Sequence, residues 1–389
     1  MLRFLTAGES HGPALVAILD GVPAGLPLGA EAIDRQLRRR QGGYGRGGRM
    51  KIEQDQSRIL AGVRFGRTLG SPIALLIENR DWVNWQIAMA IEGSAPRAGE
   101  ARRVTRPRPG HADLAGALKF GTHDAREVLE RASARETAAR VAVGAVCRSL
   151  LESFGIEIAS HTTSLGPVGG PEGKEVPWHR ILASERSPLR CADGKLEQRM
   201  IREIDRARRA GDSSGGSFQV VVRRAPPGLG SHRQWDLRLS GVIARTLMSI
   251  PSVKGVEIGA GFVGARARGS EVHDEIFYSR SRRAFHRRTN RAGGIEGGMT
   301  NGEEIRVKAF VKPLSTLPRS LRSVDLVTKR PFRAAVERTD TTAIAAAGVI
   351  GEAVMAICLA EAFLDKFGGD SLPEIRRNYR GYVRQLEQF

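Results

Sequence analysis

Two histidines lie beside glycines in segments that predict turns, and each could transfer a proton. His11 follows Gly8, Glu9 and Ser10 after a short apolar run, and His111 follows Gly110 in a segment whose two prolines prevent a helix or a paired strand. Imidazole titrates near neutral pH, so two such rings in one pocket would suit a general acid and a donor to a cofactor. Most loop histidines are ordinary surface residues, and sequence spacing cannot show that these two meet.

A third candidate is the glycine-rich segment 42–48, which has arginines on both sides. Arg40, Arg46 and Arg49 could bind an anion, because guanidinium groups form paired hydrogen bonds with phosphate and carboxylate and glycine lets the backbone approach a ligand. The same composition is typical of a solvated basic loop or an RNA contact. The two G-x-G-x-x-G matches in the chain lack the strand and helix context of a dinucleotide site.

The composition also favours an anionic partner. The chain has 389 residues, with 61 Lys plus Arg against 42 Asp plus Glu and a formal charge of +19. Arg outnumbers Lys 52 to 9, which suits binding of a polyanionic small molecule but could equally reflect the base composition of the gene. Aromatic residues are only 5% and no nucleic-acid module is recognisable, so we expect no nucleic-acid partner.

No segment predicts export, a membrane span or a metal site. Charged residues interrupt the first dozen positions, so the chain start does not resemble a secretory signal. The most apolar tract, 341–363, is rich in Ala and Gly and contains Glu352 and Glu361, so we expect a buried helix. The three cysteines are far apart and lack C-x-x-C spacing. A cytoplasmic protein without a membrane or metal partner is the expectation.

The elements that must position these groups are a mixture of helices and strands. Short apolar runs predict strands before and after the turn that holds Ser10 and His11. Further segments are predicted from periodicity, with strands at 73–77, 218–222 and 305–311 and helices at 31–40, 196–209 and 237–249.

Two polar residues lie at predicted helix starts. Ser133 begins a capping-box pattern with Glu136, which predicts a helix that ends before Gly155. Ser133 could be only a cap, or part of an anion or flavin site at the positive end of the helix dipole. Asp340 precedes the apolar helix and could be a cap or a base.

Nine segments, in one order and at compatible spacing, match the pattern of a single enzyme family. They are 8–12, 42–47, 106–114, 131–142, 211–216, 249–259, 293–298, 312–316 and 338–340. The sequence thereby resembles chorismate synthase over nearly its whole length. The resemblance implies one domain over 1–389 and an α+β fold, a β-α-β sandwich of two antiparallel sheets enclosing helices, assembled as a homotetramer.

The resemblance implies a 1,4-elimination, in which 5-enolpyruvylshikimate 3-phosphate loses phosphate and a ring proton to give chorismate, the last shared step toward aromatic amino acids. Reduced FMN would be required without net redox change, since in the family's proposed mechanism it lends an electron transiently. NADPH or an external reductant would supply the reduced flavin. No separate reductase domain is visible in the sequence, so an external reductant is expected.

Residue roles are also implied by the resemblance. His11, with Ser10 beside it, would protonate the leaving phosphate, His111 would protonate or stabilise the reduced flavin, Asp340 would help to remove the ring proton, and Ser133 would join a proton relay. The implied flavin positions are Arg131, Ala132, Ser133, Pro251, Ser252, Gly297, Lys312, Pro313, Leu314, Ser315, Thr316 and Arg338. The implied contacts to substrate or nicotinamide nucleotide are Arg40, Arg46, Arg49 and Arg135.

The sequence differs from the family pattern at one implied flavin position, which weakens the flavin contacts implied for Pro251 and Ser252. Many family members have a small or amide residue where this chain has Pro251, and proline offers no N–H donor. Two alternatives to the implied function remain open from the residues alone. One is an FMN-dependent oxidoreductase with net hydride transfer, and the other is an RNA-binding protein that uses the Arg-Gly loop.

Overall fold

The computed structural model describes residues 1–47, 54–93, 101–171, 173, 175–281, 283–337 and 340–389. The strands are β1 (Arg3–Ala7), β2 (Ala14–Asp20), β3 (Ser57–Ala61), β4 (Val63–Arg64), β5 (Arg67–Thr68), β6 (Ile73–Glu78), β7 (Glu157–Leu165), β8 (Val168–Gly169), β9 (Gly216–Arg223), β10 (Val253–Ile258), β11 (Ile276–Ser279), β12 (Ala284–Arg287), β13 (Ile295–Glu296), β14 (Met299–Thr300), β15 (Ile305–Val311), β16 (Arg322–Val324) and β17 (Pro331–Arg333). The helices are α1 (Ala30–Gln41), α2 (Asp113–Phe120), α3 (Arg126–Ala132), α4 (Thr137–Glu152), α5 (Trp178–Ala183), α6 (Gly194–Arg209), α7 (Leu239–Met248), α8 (Gly261–Gly264), α9 (Gly269–Val272), α10 (Ile344–Phe367) and α11 (Leu372–Gln388). The predicted mixture of helices and strands is confirmed, and each segment named from periodicity forms the predicted element.

The first sheet is antiparallel with strand order β1, β2, β6, β3. Its inner face follows from alternation along β6, where Ile73, Leu75 and Ile77 are at most 1% exposed. Aliphatic residues at period two fit a sheet that buries one face. Because β1 pairs with β2 up to Ala7 and Val16, the intervening turn with Ser10 and His11 lies at one end of this sheet.

The second sheet is antiparallel with strand order β10, β15, β9, β7, β8. Its central strand β9 is covered on both faces, since the consecutive residues Val220, Val221 and Val222 are all fully buried. Val221 packs in a small cluster with Ile181 of α5, whereas Val220 and Val222 belong to the main core. The turn before β10 and the segment after β15 end near each other because these two strands pair.

Three helices connect the two sheets. Helix α4 packs on β2 and β6 of the first sheet, α10 packs on β7 and β9 of the second sheet, and α1, α4 and α10 pack on one another. Helix α10 is long and apolar enough to span a bilayer by length and composition, but 83% of its most apolar window is buried within the protein. The buried helix predicted for the apolar tract is therefore confirmed.

Helices α4 and α10 approach closely because small residues face each other. A Cβ atom added at Gly144 of α4 would lie 2.5 Å from the Cβ and 2.6 Å from the Cα of Ala353 in α10. A backbone atom cannot rotate away as a side chain can, so any side chain at this position must separate the helices. Glycine at 144 is required by this contact, although it lowers helix propensity.

We expect Gly144→Ala to lower the free energy of unfolding by about 1–3 kcal/mol, because overpacking against a helix backbone forces a shift of the core. The measurement is urea denaturation followed by circular dichroism. Gly381→Ala is the matched control, since an added Cβ there meets no atom within 4 Å and lies on the exposed helix α11. That control should be neutral or stabilising by up to about 1 kcal/mol. Equal stability of the two variants would contradict the close helix contact.

Candidate active site

A cleft of about 1360 Å³ lies where the turn after β1, the ends of β15 and α3, the turn before β10 and the start of α10 meet. Its volume exceeds the roughly 300–1,000 Å³ that encloses one drug-sized ligand. The cleft is therefore larger than a pocket for one small ligand.

Most of the site residues predicted from the sequence meet in this cleft. Its lining includes Ser10, His11, Arg40, Arg46, His111, Ala132, Ser133, Arg135, Pro251, Ser252, Lys312, Leu314, Ser315, Thr316 and Asp340. Two predicted residues, Arg49 and Arg338, lie outside the described residues. The structure thus brings together residues that are more than 300 positions apart in the chain.

Three predicted flavin positions are not in the lining of this cleft. The exposed guanidinium of Arg131 donates to the backbone oxygens of Thr6 at 2.8 Å and Gly8 at 3.0 Å, which joins α3 to β1. Gly297 lies in the turn between β13 and β14, and Pro313 lies between two lining residues. Their flavin contacts remain predictions.

His11 is held by Glu130 and a tryptophan. Its Nδ1 lies 2.9 Å from Oε1 and 3.0 Å from Oε2 of Glu130, and its backbone N–H donates to Oε2 at 2.8 Å. The imidazole stacks on Trp85 with ring centroids 3.8 Å apart. The guanidinium of Arg102 lies over the same indole, 4.2 Å from its centroid. The ring of His11 is therefore fixed on one edge and one face.

Glu130 is buried and remains ionised. Burial alone would raise the pKa of its carboxyl, but hydrogen bonds from His11 and from Arg126 hold the pKa below its usual range. The Arg126 guanidinium donates to Oε1 at 2.8 Å from one helical turn earlier. The backbone oxygen of Glu130 also accepts the N–H of Ser10 at 2.9 Å. Helix α3 thereby fixes the turn that carries both Ser10 and His11.

His111 has the same kind of support. Its Nδ1 hydrogen-bonds to Asp113, the fully buried first residue of α2. Arg108 donates to the two carboxylate oxygens of Asp113 at 2.8 and 3.1 Å and to Thr316 at 2.9 Å. Burial opposes the charge, yet His111 and Arg108 hold the pKa of Asp113 well below its usual range. The loop with two prolines is thus held by an ionised carboxylate.

Two serines connect the turn after β1 with the end of α3. The hydroxyl of Ser133 donates to Ser10 Oγ at 3.1 Å and accepts the backbone N–H of Arg135 at 3.3 Å. Ser133 caps a 3-10 turn at Ala134–Glu136, and α4 follows it and ends before Gly155. Ser133 is thus a cap, as predicted, but it caps the 3-10 turn, whereas the N-cap of α4 is Glu136. Ser133 also lines the cleft, so capping does not exclude a place in the site.

Asp340 faces the Arg-Gly loop. Its carboxylate accepts the backbone N–H of Gly47 at 2.6 Å and lies 3.2 Å from Nη1 of Arg46. The capping alternative for Asp340 is wrong, because α10 begins at Ile344 with Ala343 as its N-cap. The carboxylate instead sits at the cleft, where it can act on a bound molecule.

Arg40 and Arg135 share a buried carboxylate. Arg135 Nη1 donates to both oxygens of Asp55 at 2.6 Å, and Arg40 Nη1 lies 3.7 Å from the same group. Arg40 also donates to Thr137 Oγ1 at 3.0 Å and to the backbone oxygen of Ala134 at 2.9 Å. Both guanidinium groups are therefore held at the cleft wall.

The opposite wall presents a lysine and hydroxyls. The ammonium of Lys312 donates to the backbone oxygen of Gly110, which also accepts Ser315 Oγ at 2.8 Å. Burial, with the charge of nearby Lys254, lowers the pKa of Lys312. Ser252 precedes β10 with φ of 71°, and its backbone oxygen accepts the N–H of Lys312 at 2.9 Å. This strained turn positions the lysine beside the His111 loop.

Comparisons with known proteins match the whole chain. The family model described as chorismate synthase matches residues 2–364. A curated relative from Desulforudis audaxviator, named chorismate synthase, is 57% identical over 387 residues, which cover 99% of this chain and 98% of the relative. Another with that name, from Solibacter usitatus, is 53% identical over 392 residues and 100% of both chains. The chain belongs to the chorismate synthase family.

A solved structure agrees with this assignment. The structure titled "Crystal Structure of Chorismate Synthase" matches with a TM-score of 0.80 at 43% identity and covers 100% of this chain and 99% of that chain. The resemblance drawn from the nine segments is confirmed, and with it the function of a chorismate synthase, a carbon-oxygen lyase of aromatic amino-acid biosynthesis. The assignment does not favour the oxidoreductase or the RNA-binding alternative.

Several residues of this chorismate synthase site escaped the sequence analysis. They are Trp85, Arg102, Arg108, Asp113, Arg126, Glu130 and Lys254, all at or directly behind the cleft. Arg126 and Glu130 have the spacing of an ordinary helical ion pair, and Asp113 has the position of an ordinary acidic residue in a first turn. What distinguishes Glu130 and Asp113 is that each contacts a histidine. The contact between His11 and Glu130 crosses 119 positions, which periodicity does not reveal, and the contact between His111 and Asp113 spans two positions at the start of a helix.

A buried ion cluster positions the Arg-rich end of α1. Glu352 of α10 is 2% exposed and accepts hydrogen bonds from Arg39 at 2.7 Å, Arg148 at 2.8 Å and Arg190 at 2.7 Å. Burial opposes the charge, but the three guanidinium groups hold the pKa of Glu352 well below its usual range. Since Arg39 precedes Arg40, the cluster also fixes where that cleft arginine projects.

We expect Glu352→Gln to destabilise the fold by about 3 kcal/mol at neutral pH, because three guanidinium groups lose their buried carboxylate and keep only the more exposed Glu185 and Glu152. A depressed folded-state pKa gives stability that is complete above the unfolded value near pH 4 and is lost as pH falls further. The difference from wild type should therefore narrow below about pH 4. Urea denaturation across pH measures it.

Glu361→Gln on the same helix is the matched control. Burial raises the pKa of Glu361, so removal of its charge should favour the fold, and more at neutral than at acid pH. A Glu352→Gln effect that stayed constant down to pH 3, or a control that behaved in the same way, would contradict the assigned role of the cluster.

Proposed function

We propose that this protein converts 5-enolpyruvylshikimate 3-phosphate to chorismate by anti-1,4-elimination in the described cleft, with reduced FMN and without net redox change. The observation that carries the proposal is the meeting of His11, His111 and Asp340 around one cleft. A proton donor and a proton acceptor are the groups that loss of a phosphate and a ring proton requires.

The charge of the cleft suits this substrate. The described lining carries eight cationic side chains against three carboxylates; the cations are Arg40, Arg46, Arg102, Arg108, Arg126, Arg135, Lys254 and Lys312. The substrate has one phosphate and two carboxylates, and FMN adds a second phosphate. Low-dielectric walls strengthen the attraction of such anions to fixed cations.

The same lining fits a flavin nucleotide. The cleft is larger than a pocket for one small ligand, and hydroxyl and ammonium donors of Lys312, Ser315 and Thr316 form one wall. We assign flavin contacts to Arg131, Ala132, Ser133, Pro251, Ser252, Gly297, Lys312, Pro313, Leu314, Ser315, Thr316 and Arg338. When bound, reduced FMN supplies an electron transiently to the substrate. NADPH or, as we favour, an external reductant keeps it reduced.

His11 is the proposed donor to the leaving phosphate. Its Nδ1 is occupied by Glu130, so Nε2 is the ring nitrogen left for the phosphate oxygen. Protonation of that oxygen removes charge as the bond to carbon breaks, which favours departure of the phosphate. Ser10 and Ser133, in hydrogen-bond contact at 3.1 Å, would pass protons between the substrate side and the flavin side.

Asp340 is the proposed acceptor of the ring proton, together with the flavin. It is held by Gly47 and Arg46, so its carboxylate stays in one place while a substrate anion binds to the Arg-Gly loop. His111 would donate a proton to reduced flavin, and Arg40, Arg46, Arg49 and Arg135 would hold the phosphate and carboxylates of the substrate or a nicotinamide nucleotide.

We also propose the architecture that the family implies. The packing of α1, α4 and α10 between two antiparallel sheets supports a β-α-β sandwich and one domain over 1–389. Exposed apolar side chains such as Phe120, at 70%, and Phe285, at 57%, support assembly as a homotetramer. We place the enzyme in the cytoplasm.

The deciding experiment is an anaerobic assay with 5-enolpyruvylshikimate 3-phosphate and chemically reduced FMN. Chorismate absorbance and the redox state of the flavin are followed together. The proposal predicts many turnovers while the flavin stays reduced. Oxidation of one flavin for each product would support the oxidoreductase instead, and absence of product with both ligands bound would overturn the proposal.

We expect His11→Ala and His111→Ala each to lower turnover by about two to four orders of magnitude, because each removes a proton-transfer group. Circular dichroism should show an intact fold. His232→Ala is the matched control, since this histidine does not line the cleft, and it should keep wild-type turnover. Near-normal turnover in either cleft variant would remove that histidine from the mechanism.

We expect Asp340→Asn to keep FMN binding and to lower turnover by about two orders of magnitude or more, because an amide cannot accept the ring proton. FMN binding is measured by fluorescence quenching and turnover by chorismate formation. Loss of FMN binding with unchanged turnover at saturating FMN would instead assign Asp340 to ligand binding alone.

A further inference from the structure

Glu130 holds both the backbone and the ring of His11. Its carboxylate accepts the His11 backbone N–H at 2.8 Å and lies 2.9 and 3.0 Å from Nδ1. Glu130 is 2% exposed, so its burial restricts the access of solvent to these bonds. A residue that fixes a main-chain atom and a ring nitrogen together determines both where the ring lies and how it is turned.

The charge of Glu130 is secured from behind. Arg126 donates to Oε1 at 2.8 Å and also pairs with Glu337 at 3.2 Å. An ionised carboxylate only accepts hydrogen bonds. The bond from His11 to Glu130 therefore requires a proton on Nδ1. Nε2 is then the ring nitrogen that can gain or lose a proton.

The rest of the His11 environment leaves Nε2 for a ligand. Trp85 covers one face of the ring with centroids 3.8 Å apart. In the part of the chain that the structure describes, Nε2 has no hydrogen-bond partner, and the residue lines the cleft. Asp113, held by Arg108, contacts Nδ1 of His111 in the same way. The arrangement of arginine, carboxylate and imidazole thus occurs twice on separate segments.

We propose that Glu130 is a positioning residue for His11, which keeps a proton on Nδ1 and directs Nε2–H to the leaving phosphate. This inference rests on the proposed role of His11. When the Nε2 proton passes to a phosphate oxygen, the Nδ1 proton stays between the ring and Glu130. The ring is then neutral in the tautomer that can be reprotonated only at Nε2, so Glu130 itself never takes up the proton.

The test is a double-mutant cycle of Glu130→Gln and His11→Ala, with turnover measured at saturating substrate and reduced FMN. Glutamine keeps the shape and can still accept the backbone N–H, but it carries no charge for the ring. We expect Glu130→Gln to lower turnover on the order of 100-fold. This loss should not exceed that of His11→Ala, because Glu130 acts only through His11. In the His11→Ala background the same change should cost less than about threefold, because residues that act as a unit are not additive.

The ring tautomer separates positioning from a structural role. A glutamine at position 130 no longer requires the proton on Nδ1, because its amide can either donate or accept a hydrogen bond. Nitrogen-15 NMR of histidine-labelled Glu130→Gln should therefore show more of the neutral His11 ring protonated on Nε2 than in the wild type. Glu136→Gln is the matched control: this buried carboxylate pairs with Arg140 at 3.0 Å and is not in the cleft lining. It should leave turnover and the tautomer of His11 unchanged.

The experiment distinguishes a failure of the proposed role of His11 from a failure of the positioning role of Glu130. Near-normal turnover in His11→Ala would overturn the role of His11 itself. An impaired His11→Ala with an active Glu130→Gln, or with fully additive effects, would overturn only the positioning role. Should Glu130→Gln not fold, nitrogen-15 NMR of histidine-labelled wild-type protein gives the answer, with His11→Ala to assign the signal. Neutral His11 protonated on Nδ1 supports the inference, and protonation on Nε2 overturns it.

Discussion

Paired burial of arginine and carboxylate holds the segments that build the cleft. Burying a lone charge costs several kcal/mol, so each of these groups is stable inside only because its partner is there. Asp55, Asp113, Glu130 and Glu352 are each at most 3% exposed, and each contacts at least one arginine. The contacts of Asp55 with Arg135 and of Glu352 with Arg39 join distant parts of the chain, and Glu130 does so through His11. The walls of the cleft and its charge therefore arise from the same interactions.

This arrangement changes how the strong positive charge of the sequence should be understood. Some of the arginines pair with buried carboxylates, and two of these carboxylates orient the histidines. Arginine side chains also line the cleft and keep it positively charged. A site that must hold several anions next to one another needs cations that cannot move apart, and arginine pairs with fixed geometry provide that. Lys312 differs from these arginines, because burial and the charge of Lys254 lower its pKa.

Local features were predictable and long-range contacts were not. The cap at Ser133, the buried α10 and the strands of alternating or continuous apolar residues depend on neighbours within a few positions, which periodicity and capping patterns record. The meeting of Ser10 with Ser133 depends on a bond across 123 positions. Of the two roles considered for Asp340, the cap was wrong because α10 starts four residues later, and its carboxylate contacts Gly47 and Arg46 of the Arg-Gly loop instead.

The contact at Gly144 limits how the protein can change over time. An added Cβ would meet backbone atoms of Ala353, its Cα at 2.6 Å and its oxygen at 2.7 Å, and not only a side chain. Trimming Ala353 to glycine would therefore not make room by itself. Separating α4 from α10 would also shift the start of α10, and with it the cleft. A side chain at position 144 would thus affect the geometry of the cleft as well as stability, and a stabilising substitution elsewhere would restore only the stability.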